Sequence, residues 1–307
     1  MEFRKLEPFT IELAEKYKEC FNQSKTSIAD ACPNSRFAWN LGYHYRYFIV
    51  DNCICLISDG GIFTKPHFSL PIGELTVEKL NKILKIISEI FEHEKWQMLG
   101  LFIDEEYVDL FNQVEGYKLT WSYDEDFSDY LYETKKLYKL KGKDYRVKRN
   151  HVNKFIRNFP DFNYRSLEKG DREKAVSLVR TWCQDKEVDC SNPIESDCGP
   201  IDTLFSYWDE LDIHGGVIYL EDDLIAFSMG SIIHDGEMAV MHFEKAHPDY
   251  EGLYSVINQL TTIYELEDTK YINREEDMGD MGLRLAKESY FPVKKIKKYR
   301  LKLDKNG

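Results

Sequence analysis

The sequence predicts a mixed α/β protein built from two copies of one unit, each a mostly antiparallel sheet flanked by helices. Three observations lead there. The chain has 307 residues, past the length at which a single hydrophobic core stops growing, so two domains are expected. Hydrophobic residues make up 43% and charged residues 31%, enough apolar material for two cores. One order of elements also occurs twice: helix, antiparallel strands, helix, strand, helix, strand.

In the first copy, Ile11, Leu13, Ala14 and Tyr17 recur at helical spacing and predict a helix over 10–23. Strands are expected over 37–39, 45–50 and 53–58, the last two joined by the Asp51-Asn52 turn. Thr76 reads as the N-cap of a helix to residue 94, with Leu80, Ile83, Leu84, Ile87 and Phe91 as its buried stripe. A strand over 98–103, a short helix over 105–114 and a strand over 117–123 complete it. The second copy follows the same plan. It has a helix over 171–185, strands over 216–219, 224–233 and 237–244, and a helix over 253–266. A strand over 271–274, a helix over 281–289 and a strand over 295–303 follow. The expected division is 1–134 and 135–307, the latter opening on a basic connecting helix.

Charge sharpens this plan. The chain carries 41 basic and 54 acidic side chains, net −13, which excludes a protein coated in basic surface for indiscriminate nucleic-acid or membrane binding. Yet residues 135–157 hold ten basic side chains against Asp144 alone, a net +9 that leaves −22 elsewhere. Arg146, Arg149, Asn150, Asn153 and Arg157 fall on one helical stripe, while Val152, Phe155, Ile156 and Phe159 form an apolar one. The polar stripe reads either as a site for cofactor phosphates or RNA, with Arg149, Asn150 and Asn153 as its polar groups, or as a solvated basic face.

Two strand ends carry chemistry. Glu244 closes one strand and is the candidate general base. The turn from His247 to Tyr254 leads into a helix and includes Tyr250, Gly252 and Leu253, a place where backbone N–H groups meet an anion. After Ile272, Asn273 and Arg274 are positioned to orient a carboxylate or phosphate. Glu275, Glu276, Asp277 and Asp280 either hold a cationic amine or answer the dipole of the following helix.

Seven cysteines, without a Cys-x-x-Cys pair, read as reduced thiols in a cytoplasmic protein. Cys53 and Cys55 share one face of a strand as core thiols. Cys183, Cys190 and Cys198 match no standard metal spacing, and no metal is expected. Neither a secretory signal nor a membrane-spanning segment is expected: the most apolar stretch, 83–91, is short and broken by Lys85 and Glu89. P-loop, dinucleotide, Ser-His-Asp and zincin motifs are absent from the sequence.

The runs LKGKDYRVKRNHVNKF (140–155), YINREEDMG (271–279) and YFPVK (290–294) resemble markers of the phosphatidylglycerol lysyltransferase C-terminal-domain family. The resemblance is strongest from Leu131 to Leu303. It implies two fused units of the GNAT acyltransferase fold. It also implies transfer of an acyl or aminoacyl group, from acyl-coenzyme A or aminoacyl-tRNA, to an amine or hydroxyl acceptor. Donor contacts are then expected at Arg149, Asn150, Asn153, Tyr250, Gly252 and Leu253, and acceptor contacts at Asn273, Arg274, Glu275 and Asp277. The donor turn keeps a single glycine, Gly252, and Tyr290 lies near the end of the last helix, where this fold usually has a tyrosine acid earlier. These departures leave a second reading: a non-catalytic binding or regulatory module for a nucleotide-like ligand or RNA.

Overall fold

The computed structural model describes residues 6–306. The chain forms two units: one takes the chain to Asp129 and again from Ile296, and the other comprises Tyr130–Lys295.

The first unit contains strands β1 (Glu7–Pro8), β2 (Arg46–Val50), β3 (Cys53–Ser58), β4 (His67–Ser69), β5 (Leu99–Asp104) and β6 (Tyr117–Tyr123). Its helices are α1 (Ala14–Gln23), α2 (Pro33–Ala38), α3 (Asn40–Tyr43), α4 (Val77–His93) and α5 (Val108–Phe111). Asp51 and Asn52 both adopt left-handed backbone, φ 47° and 63°, the conformation that lets a two-residue turn join twisted strands. The Thr76 hydroxyl accepts from the Lys79 amide at 3.2 Å and opens α4. Leu80, Ile83, Leu84, Ile87 and Phe91 bury one face of that helix on a core that includes Cys53 and Cys55. Strands β4 and β5 are parallel, and α4 is the crossover that parallel strands require. Residues 37–39, expected as a strand, end α2 instead. Pro33 supplies helical φ at the first position, and Phe37 stacks on Phe9 with ring centroids 4.4 Å apart.

The second unit contains strands β7 (Asp129–Glu133), β8 (Asn163–Ser166), β9 (Gly216–Leu220), β10 (Asp223–Ile233), β11 (Met238–Ala246), β12 (Tyr271–Asn273) and β13 (Lys294–Ile296). Its helices are α6 (Thr134–Lys139), α7 (Arg146–Asn158), α8 (Arg172–Asp185), α9 (Cys198–Ser206), α10 (Leu253–Tyr264) and α11 (Met281–Glu288). The sheet runs β13-β7-β12-β11-β10-β9-β8. Strands β11 and β12 are parallel, with α10 as their crossover. Val152 and Phe155 of α7 share a core with Leu253, Val256 and Ile257 of α10 and with Ala239, Met241 and Ile272 of the sheet.

A last strand, β14 (Lys298–Lys305), belongs to the first sheet, which runs β1-β2-β3-β4-β5-β14-β6. It is antiparallel to both neighbours. The stretch 295–303, expected as one strand of the second copy, therefore divides between β13 and β14. The reason lies in its side chains: Lys298 is buried against Asp30 at 2.6 Å and Asp129 at 2.8 Å, and Leu301 and Leu303 enter the first core. The first unit is thus built from two stretches of chain rather than from 1–134 alone. Strand β7, also unforeseen, takes the place beside β12 in the second sheet that β14 takes beside β5 in the first.

Candidate active site

In the second sheet the β11–β12 ladder stops at the Val240–Asn273 pair, while β11 continues to Ala246 on its β10 side. A register shift between Met229 and Gly230 leaves His242 as the extra residue of β11, a bulge that bends the strand just before Glu244. Glu244 and Arg274 meet where the ladder stops. The guanidinium donates to the Glu244 carboxylate through Nε at 2.9 Å and Nη2 at 2.7 Å. Asn258 of α10 donates to the other carboxylate oxygen at 3.2 Å. The two charged side chains are only 9% and 14% exposed, so they form a largely desolvated pair.

Aromatic rings flank Arg274 of this pair. The Arg274 guanidinium carbon lies 5.0 Å from the Tyr290 ring centre and 5.7 Å from that of Tyr132. Lys148 of α7 stands 4.1 Å from the Tyr290 ring centre. Desolvation, with the positive Arg274 as a second cause, lowers the Lys148 amine to about 8. The Tyr290 phenol, pushed up by burial, reaches Ser255 at 3.3 Å. The Nη1 of Arg274 and the Oδ1 of Asn258 are buried without a partner among the described residues. Buried polar atoms are ordinarily hydrogen-bonded, so one donor and one acceptor remain for a bound group. The arrangement offers a cationic donor, a polar acceptor and an amine able to change protonation near neutral pH.

The other expected site residues have distinct positions. Buried Asn273 accepts from the Glu275 amide at 2.8 Å. Glu275 meets Nδ1 of His242 at 3.0 Å, and Nε2 of His242 meets Ser231 at 2.6 Å. Asp277 is enclosed: Arg284 contacts it at 2.7 and 2.9 Å, the Tyr130 hydroxyl at 2.5 Å and the Gly279 amide at 2.9 Å. Burial alone would raise this carboxyl, but Arg284, Tyr130 and Gly279 hold it down to about 2. That is a fastening for the 275–280 turn.

On α7, Arg149 donates to the carbonyls of Leu140 and Gly142 and ties down the loop before the helix. Asn150 and Asn153 are exposed, as are Arg146 and Arg157. The turn into α10 is spent on α7. Tyr250 packs on Phe159 with ring centres 5.0 Å apart, and Glu251 pairs with Lys154. Gly252 has φ +89°, and a Cβ there would lie 2.4 Å from the His151 carbonyl oxygen. Leu253 is a core residue. Of the expected residues, therefore, the candidate base Glu244 and the acceptor position Arg274 are in direct side-chain contact. Lys148, Asn258, Tyr132 and Tyr290 join them. Lys148 had a signal in the sequence: it stands four residues before Val152 and seven before Phe155, at the head of the apolar stripe rather than on the polar one.

A family model described as phosphatidylglycerol lysyltransferase, C-terminal, matches residues 33–302. An uncharacterised protein of Mycoplasmoides gallisepticum is 26% identical over 204 residues, 62% of this chain. The match spans 64% of that relative's own length. A conserved protein of unknown function from Bacteroides thetaiotaomicron superposes with a TM-score of 0.88 at 25% identity, over 97% of this chain and 99% of its own. The C-terminal domain of a putative lysylphosphatidylglycerol synthetase from Agrobacterium fabrum gives 0.69 at 12% identity, over 96% and 92%. A tandem GNAT protein from the clavulanic acid biosynthesis pathway gives 0.51 at 6%, over 99% of both chains. The fold is thus of GNAT type, and family and fold link the chain to acyl- and aminoacyltransferases. No helix among the described residues is long and apolar enough to cross a membrane. Matched over most of its length, the chain belongs to the phosphatidylglycerol lysyltransferase C-terminal-domain family.

Proposed function

We propose that the chain is an aminoacyltransferase that moves an aminoacyl group from its tRNA ester to an amine or hydroxyl acceptor, using the second unit. The observation that carries this reading is the half-buried Lys148 amine, lowered to about 8, which shares the Tyr290 ring with a guanidinium whose Nη1 is unspent. The acceptor nitrogen or oxygen attacks the ester carbonyl, and Lys148 Nζ takes the attacker's proton. Nη1 of Arg274 donates to the carbonyl oxygen as it becomes negative. The bond to the ribose oxygen then breaks, and the Lys148 ammonium returns the proton to that leaving oxygen. Glu244 is assigned to hold Arg274 in place, because its carboxylate accepts from both Nε and Nη2 of that guanidinium.

The choice of tRNA over coenzyme A rests on the turn into α10. A coenzyme pyrophosphate would need that helix start, but Tyr250, Glu251 and Gly252 are engaged by α7. The exposed Arg146, Asn150, Asn153 and Arg157 suit an RNA backbone instead. The test supplies the full chain with a cell extract and either labelled aminoacyl-tRNA or acyl-coenzyme A. We expect label to pass from tRNA to a non-tRNA product without release of coenzyme thiol. Thiol release with no consumption of aminoacyl-tRNA overturns the donor. Binding of both without turnover of either favours the non-catalytic module.

A further inference from the structure

Three of the seven cysteines converge in the second unit. Cys183 lies in the last turn of α8, Cys190 in the connection that follows, and Cys198 opens α9. Their sulfurs all lie within 4.8 Å of one another. Cys183 and Cys198 are buried, while Cys190 is partly exposed. Ser196 is enclosed among them, its hydroxyl 3.5 Å from the Cys183 sulfur and accepting from the Cys198 amide at 3.1 Å.

We propose that Cys183, Cys190 and Cys198 form a zinc site that clamps the α8–α9 connection. Zinc–thiolate bonds of about 2.3 Å at tetrahedral angles set ligand sulfurs about 3.8 Å apart. The observed cluster therefore needs only a small closure to reach that geometry. Thiolates select zinc over harder cations. Binding removes one proton from each thiol, so one Zn²⁺ replaces three protons, and the partly exposed Cys190 gives the ion and those protons a way in and out. The clamp has a mechanical consequence. Asp197, adjacent to Cys198, pairs with Lys245 at 2.5 Å. Lys245 lies over the Trp182 ring at 4.1 Å and directly follows Glu244 on β11. Zinc would thus brace the backbone that presents Glu244.

The test uses the full chain, purified anaerobically with a phosphine reductant and stripped of metal. Titration with Zn²⁺ against a chromophoric chelator is expected to give one ion per chain. Co²⁺ in its place should show a sulfur-to-metal charge-transfer band and the visible bands of a tetrahedral ion. Cys183→Ser, Cys190→Ser and Cys198→Ser should each weaken zinc binding at least about 100-fold, while Cys53→Ser in the first unit leaves it unchanged. Because a buried variant can misfold, wild-type protein is also alkylated with and without Zn²⁺, and mass spectrometry reads each cysteine. Zinc should protect Cys190 at least tenfold. Equal alkylation of Cys190 with and without Zn²⁺ overturns the site. So does stoichiometric binding that survives in the triple variant, or a disulfide between two of the three in the anaerobic protein.

Discussion

Replacing Lys148 by arginine keeps the positive charge and removes the capacity to lose a proton near neutral pH. Lys148 is shifted from 10.5 to about 8 by burial and by Arg274. At pH 7 about one molecule in eleven then carries a neutral amine there, against about one in three thousand for an unperturbed lysine, a gain of roughly 300-fold in proton-accepting form. The assay is the initial rate of aminoacyl transfer between pH 6 and 9.5 for wild type, Lys148→Arg and Lys148→Met. Wild type should gain about tenfold per pH unit up to about 8 and then level off. Both variants should be at least about 100-fold slower at pH 8 and lack that rise. An arginine variant within threefold of wild type would show that Lys148 serves only as a fixed charge, and a wild-type profile flat through pH 8 would refute the proton-transfer role.

Other outcomes follow from the same geometry. Asp277→Asn should cost about 2 kcal/mol in urea denaturation, the scale of a buried pair discounted for a partly exposed Arg284. Because the carboxyl is lowered from 3.8 to about 2, its contribution is complete above about pH 4 and drains away between pH 4 and 2, where wild type and variant should converge. Gly252→Ala combines a φ of +89° with a Cβ 2.4 Å from the His151 carbonyl oxygen. It should cost at least about 2 kcal/mol and show as a lowered urea midpoint; an unchanged midpoint would mean that α7 yields freely. Arg146→Gln with Arg157→Gln should reduce the slope of log affinity for tRNA against log salt by about 1.4 to 1.8. If the slope stays the same, the exposed stripe is not the RNA surface.

Much of this was legible in the sequence because the signals were local. Thr76 and the stripe from Leu80 to Phe91 marked α4, and Asp51-Asn52 marked the hairpin. Glu244 and Arg274 stand out in the sequence because each lies near the end of a strand. Other features depend on distant partners. The short β4, β7 and β8 have too few residues to show a period, and α2 is fixed by its packing on Phe9. The basic run around Lys148 masks it in the sequence, whereas its position at the head of the apolar stripe marks it as half-buried. Cys183, Cys190 and Cys198 are separated by six and seven residues, which matches no compact chelating motif; a helix, a loop and a second helix bring the sulfurs together. Gly252 looked like a phosphate-loop glycine, but its small size serves the approach of a helix.

Strand β14 follows the whole second unit in sequence, yet it lies between β5 and β6 in the first sheet. During synthesis, everything from Leu6 to Tyr123 can leave the ribosome and still lack the strand that joins β5 to β6. At a translation rate of about 5–20 residues per second, that gap stays open for roughly 10–40 s while the whole second unit is made. Two strand edges, with Leu301 and Leu303 missing from the core beside them, wait through that interval for β14. The first unit therefore cannot close its sheet until the second unit has been made, and a truncation near Ile296 should yield a protein that aggregates as it leaves the ribosome.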